Sequence, residues 1–319
     1  KIRYKYIKGL RIREPYQMSK GVMGETMNKR LTIIVAGFLL MSIPAFGTAW
    51  AGSWGKLVYD TEVSSQTKEN FQKAVDAIDE LFAKYKIVLS DPITMVVAGN
   101  DAESYIRALM AYAHVSRAVA EDKVRLVALG QSVTGVPIIV IRYTPTRQLT
   151  PQGTSYPVNN PEEGFRVLPH EVFHQIENQG GPIRVVNWLK EGPAELFKFM
   201  ALETAGIRRV TDSVQQYDQV IRRAPEIPDT RQLASYDYKT WTSLSRQKYP
   251  VYHMAALMTY RLVGDTGFEK VILFYKLLHN GSDPDKAFIT AFGVQMSDFL
   301  TDMNDYFNRL TTKQKIGEK

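Results

Sequence analysis

Two of the five histidines in this 319-residue chain stand four apart with a glutamate beside the first, in His170-Glu171-Val172-Phe173-His174. On a helix, positions i and i+4 share a face, with side chains about 6 Å apart. Two imidazoles so placed can share one tetrahedral zinc ion. Glu171 lies one residue along, near enough to hydrogen-bond a water at such an ion. Val172 and Phe173 point elsewhere and can anchor the helix in a core. Five residues thus offer two ligands, a base and a hydrophobic anchor, and the fold around them has to bury a helix whose polar face stays usable. The same spacing also suits a helix with two surface histidines, so the motif needs a partner elsewhere in the chain.

A zinc site that works on substrates takes a third protein ligand and leaves a fourth position for water. Residues 187–197, NWLKEGPAELF, offer Glu191 and Glu195, again four apart. If a helix starts near Glu191, both carboxylates lie on one face. One can bind the metal while the other accepts the spare N–H of a ligand histidine and fixes its tautomer. Pro193 suits the first turn of such a helix, where its missing N–H costs nothing. The intervening NQGGPIR supplies the turn that sets the two helices side by side. An acidic pair is otherwise a solvated helix face; its distance after His-Glu-x-x-His favours the metal reading.

Around this centre the chain reads as α+β. Residues 66–84 place Phe71, Ala74, Val75, Ile78, Leu81 and Phe82 at helical spacing. Residues 85–99 read as a strand broken at Asp91-Pro92. Residues 101–122 read as one helix, with Asp101 as its cap and Glu103 in its first turn. The β-branched run at 136–144, VPIIVIRYT, reads as a strand. Residues 145–164 carry four prolines and two glycines, a long loop of the kind that covers a site. Beyond it the chain is mostly helical, ending in a stripe of Phe299, Leu300, Met303, Tyr306, Phe307 and Leu310 after Ser297. His114 and His279 read as incidental surface or packing residues.

HEVFH together with WLKEGPAE resembles the gluzincin metallopeptidases, the group that contains thermolysin and the zinc aminopeptidases. Their third-ligand segment often reads Trp-Leu-x-Glu-Gly-x-Ala. The resemblance covers residues 137–310, more weakly in the helical tail. It implies a thermolysin-like zincin catalytic domain: a small mixed sheet with the active-site helix, followed by a mostly helical C-terminal half, with the 136–144 strand, by slight preference over a buried central place, at the sheet edge along the cleft. It further implies Zn2+ as cofactor, with His170, His174 and Glu191 as ligands, Glu171 as catalytic base and Glu195 as the partner behind a ligand histidine. In aminopeptidase relatives a tyrosine well beyond the third ligand stabilises the oxyanion. QKYPVYHMAA places Tyr249, Tyr252 and His253 there, and Tyr252 sits best against the helical pattern that follows. The Gly-x-Met-Glu-Asn segment of the aminopeptidases is absent from the sequence, so aminopeptidase specificity is not expected.

The net charge of +7 does not point to nucleic acid, because it is concentrated at the start. Residues 1–51 hold nine Lys/Arg and two acids, which leaves 31 of each sign in the remainder. Residues 27–51 have the three parts of a secretory signal peptide: Met27-Asn28-Lys29-Arg30, an uncharged apolar run, and the Ala49-x-Ala51 pattern. A retained membrane anchor is the alternative, since the uncharged run is about long enough to span a bilayer. Residues 1–26 are expected to be an upstream extension outside the fold. Residues 52–319 are expected to form one domain, with the sheet and active-site helix in 52–179 and a helical half in 180–319. There is no cysteine, so disulfides, thiolate ligands and lipid on cysteine are excluded. The expectation is a secreted or periplasmic zinc endopeptidase acting on peptides or proteins, with membrane contact only if the first segment is not removed. The alternative is a metal-stabilised binding or scaffold protein of the cell envelope with weak or lost turnover.

Overall fold

Residues 93–99, ITMVVAG, form the middle strand of a five-stranded sheet because they are apolar on both faces. A computed structural model describes residues 48–317, except 100, 127–129, 134–135, 144–147, 150–154, 157–161, 179–182, 184 and 248. The sheet contains β1 (Thr48–Gly52), β2 (Gly55–Tyr59), β3 (Ile93–Gly99), β4 (Gly130–Val133) and β5 (Ile138–Tyr143), in the order β1-β2-β3-β5-β4. β2, β3 and β5 are parallel, and β1 and β4 are antiparallel edges. The sheet is therefore mixed.

Alternate residues feed two cores, as the pleat requires. Met95, Val97, Ile139 and Ile141 face the large core that holds α1 (Ser65–Tyr85). Val96, Ala98 and Val140 face a smaller one with Tyr105, Ile106 and Leu109 of α2 (Ala102–Ala113). The side chain of Ser64 caps α1 by accepting from Thr67 N–H, and Lys86 ends it in the left-handed region at φ 52°. Its predicted apolar stripe is buried throughout.

Three expectations need correction. Residues 101–122 are not one helix: His114 adopts φ 54° and separates α2 from α3 (Arg117–Leu126), although Asp101 does cap the first by accepting from Ser104 N–H. Of residues 85–99 only the part after Pro92 is strand. The 136–144 run is not an edge: β5 lies between β3 and β4, and its Ile-Ile-Val-Ile core fits a strand covered on both faces. The edge beside it is β4, short and polar at Gln131 and Ser132.

From the loop after β5 the structure describes a two-residue hairpin, β6 (Gln148–Leu149) with β7 (Ser155–Tyr156); most of that loop lies outside the described residues. The remainder is helical, as expected: α4 (Leu168–Glu177), α5 (Asn187–Thr204), α6 (Val210–Arg223), α7 (Thr230–Leu233), α8 (Tyr238–Arg246), α9 (Val251–Val263), α10 (Glu269–His279), α11 (Pro284–Phe292) and α12 (Met296–Gly317). Pro44–Lys319 form one compact unit. Among the described residues no helix is long and apolar enough to cross a membrane. The apolar run of the expected signal segment lies outside the described residues, except for its last residues, which fall in β1.

Two contacts set the helices that matter for the site. Gln175 Nε2 on α4 donates to Ser132 Oγ at 2.6 Å and to Ile138 O at 3.1 Å, tying that helix to the β4–β5 edge. Gly192 lets α5 lie directly on α9, since a Cβ there would collide with Ala255 O and Thr259 Oγ1.

Candidate metal centre

α4 is anchored by Leu168, Val172, Phe173 and Ile176, all in the large core. That burial turns His170 and His174 toward α5, where Trp188, Leu189, Ala194 and Phe197 anchor Glu191 in the same way. Three donor atoms meet. Nε2 of His170 and Nε2 of His174 are 3.0 Å apart, and Oε2 of Glu191 lies 3.3 Å from the first and 3.5 Å from the second. A tetrahedral ion with bonds of about 2.0–2.1 Å spaces its ligand atoms about 3.3 Å apart, so the triangle has the dimensions of one face of such a site. His170, His174 and Glu191 could hold a metal ion.

The hydrogen-bond chemistry agrees. Nδ1 of His174 lies 2.8 Å from Oε2 of Glu177. Nδ1 of His170 lies 3.0 Å from Oε1 of Glu195, an ion-pair distance short of hydrogen-bond alignment. A carboxylate at each Nδ1 draws the ring proton to that side and leaves the Nε2 lone pair pointing at the triangle. Two lone pairs and a carboxylate oxygen then converge on one point, an arrangement that repels itself unless a cation or protons sit between them. The titration directions carry the same message. Burial depresses the His170 imidazole, but Glu191 and Glu195 outweigh it and lift its pKa to about 9. Burial also opposes charge on His174, yet Glu177 and Glu191 raise it well above the usual range. Burial pushes Glu191 up, but His174 and His170 overcome it and hold the carboxyl at about 2. Protons and a divalent cation answer the same electrostatic demand.

Glu171 stands outside the triangle, buried, and its Oε2 accepts the backbone N–H of Ser132 on edge strand β4. Tyr252 does come to the site: its ring lies 6.4 Å from that of His170 and edge-on to Trp241 at 5.6 Å. Burial, then the charge of Glu191, raises its phenol well above the ordinary value. Tyr249 is elsewhere, its hydroxyl donating to Glu226. His253 packs on Tyr217 with ring centroids 4.3 Å apart and planes tilted by 50°, behind Glu195, and burial lowers its pKa to about 4.

The start of α5 is a further correction. The helix begins at Asn187, so Pro193 sits inside it rather than in its first turn.

Five residues at this centre escape a sequence reading. Glu177 backs His174; its signal was its place three residues on, one turn along the same face. Lys198, three after Glu195, donates to that carboxylate, as does Tyr217 at 2.5 Å. Tyr275 reaches Glu177 from α10. Tyr238 opens α8; burial of its phenol, then the charges of Glu191 and Glu171, raise its pKa, although the residue as a whole is 55% exposed. For Tyr217, Tyr238 and Tyr275 no local pattern exists to find them.

No protein-family model matches the chain, and no curated protein matches it. The case for function therefore rests on the site itself.

Proposed function

We propose that the chain is an exported zinc-dependent endopeptidase of the gluzincin type, with a thermolysin-like zincin arrangement of sheet and helices. The observation that carries this reading is the triangle of His170, His174 and Glu191, each imidazole backed by a buried carboxylate. Two nitrogens, one oxygen and no sulfur suit zinc, and three protein ligands are the number that a hydrolytic site uses. The signal-like segment before Gly52 supports export.

A bound zinc ion would lower the pKa of a water and polarise the substrate carbonyl. The protein's own groups do the rest. Glu171, with one carboxylate oxygen anchored on Ser132 N–H, takes the proton of the attacking water on the other oxygen and passes it to the departing amine. Tyr252, kept protonated by its surroundings, donates a hydrogen bond to the carbonyl oxygen as charge develops there. Glu195 and Glu177 hold the two imidazoles in the ligating tautomer. Edge strand β4 lies beside Glu171 and offers its open side to an extended peptide.

The test is hydrolysis of an unfolded protein substrate by the purified chain, with zinc content measured in parallel. Glu171→Gln is expected to keep the metal and the fold while losing about 10²- to 10⁴-fold in turnover. Cleavage undiminished in Glu171→Gln would refute the assigned base. Stoichiometric zinc without cleavage of any peptide would favour a binding or scaffold role.

A further inference from the structure

Pro193 lies inside α5 and has no N–H to give the carbonyl of Leu189, four residues back. That carbonyl is nevertheless bonded, by the hydroxyl of Tyr275 reaching in from α10. The same hydroxyl lies 2.9 Å from Oε1 of Glu177, whose other oxygen holds His174 Nδ1 at 2.8 Å. Tyr275 is 2% exposed and its ring packs against Phe173 and Phe274, so the hydroxyl is fixed in place.

We propose that Tyr275 is a positioning residue for the metal centre. Its single proton is shared between Leu189 O, where it stands in for the helix hydrogen bond that Pro193 removes, and Oε1 of the carboxylate that orients His174. Leu189 is two residues before Glu191, so one hydroxyl fixes both the backbone that carries the third ligand and the partner of the second. A proline that would otherwise weaken α5 makes room for a link between two ligands on two helices. The inference rests on the metal reading above and adds a distinct claim: part of the site's affinity is held by a residue that touches no metal.

Removing the hydroxyl in Tyr275→Phe strips Leu189 O and Glu177 together, so the two effects have to be separated. Pro193→Ala restores an N–H at 193 that can bond Leu189 O but does nothing for Glu177. The experiment measures Co2+ and Zn2+ affinity by competition with a chelator, the visible spectrum of the Co2+ form, and the thermal midpoint of the chelated protein. The subjects are the full chain, Tyr275→Phe, and Pro193→Ala/Tyr275→Phe.

Tyr275→Phe is expected to weaken metal binding about 10- to 100-fold, alter the Co2+ spectrum and lower the midpoint. In the double variant the midpoint should recover while affinity and spectrum stay impaired. Where Tyr275→Phe alone does not fold, the double variant carries the same comparison. Unchanged affinity in Tyr275→Phe, or affinity rescued together with stability, would reduce Tyr275 to a structural bond and overturn the proposal while leaving the metal reading intact. A wild-type chain that binds neither ion would overturn both, because no ligand would then remain to be positioned.

Discussion

His170 and His174 face one point, but what stands behind them differs. Behind His170, Glu195 is flanked by the cation of Lys198 and the hydroxyl of Tyr217. Burial pushes that carboxyl up, yet Lys198 and His170 outweigh it and hold it well below the ordinary range. Behind His174, Glu177 has a phenol, Tyr275, and no lysine or arginine among its described ion-pair partners. There burial wins over the pull of His174, and the carboxyl is raised. One flank is a buried ion-pair network and the other a hydrogen-bonded link to the backbone of a ligand-bearing helix. Removing a partner from the first leaves a charge stranded; removing one from the second leaves a ring free to turn. Stability should therefore be more sensitive on the His170 flank, and metal affinity relative to stability on the His174 flank.

The largest effect on folding is expected from Glu195→Ala. It leaves Lys198, whose side chain is 14% exposed, without its carboxylate, at a cost of about 3–5 kcal/mol in urea unfolding of the chelated protein. A loss under about 1 kcal/mol would mean that Lys198 escapes to water and the network is not buried in solution.

The next effect is one of pH. Burial lowers His253, behind Glu195, to about 4, so the folded chain keeps it neutral where the unfolded chain takes a proton. Its contribution is complete above about pH 6.5 and is lost as pH falls toward 4, amounting to about 3 kcal/mol across that window. His253→Phe, which keeps a ring packed against Tyr217, should flatten this part of the stability profile. An unaltered slope in the variant would show that His253 already titrates normally in the fold.

Tyr217→Phe comes next, removing the hydrogen bond its hydroxyl donates to the charged Glu195 and the longer one it accepts from Lys198, for about 1.5–3 kcal/mol while Lys198 still neutralises Glu195. The smallest loss of stability is expected from Glu177→Gln, at about 1 kcal/mol, yet with metal affinity down about 10- to 100-fold. Equal ratios of stability loss to affinity loss on the two flanks would erase the contrast.

Much of this was legible in advance for a local reason. The stripe on α1, the spacing of HEVFH and the Glu191/Glu195 pair are patterns within one helix, and the triangle needs only two adjacent helices to form. What could not be read depends on distant residues. The β1–β2 hairpin carries no strong alternation. His114 ends α2 in a left-handed conformation that its residue type does not demand. Placing Pro193 in a first turn follows a sound rule, but the rule fails here because Tyr275, far along the chain, supplies the missing donor. The interior position of β5 was latent in its unbroken Ile-Ile-Val-Ile run, which suits a strand covered on both faces.

The central claim, that these three side chains bind one ion, is tested most directly by metal analysis of the wild-type chain and His174→Ala purified in parallel, with thermal melts before and after chelation. The account predicts about one zinc per wild-type chain, almost none in His174→Ala, and a midpoint that falls on chelation only in the wild type. A wild-type protein that is folded, free of zinc, and indifferent to both added zinc and chelator would contradict it.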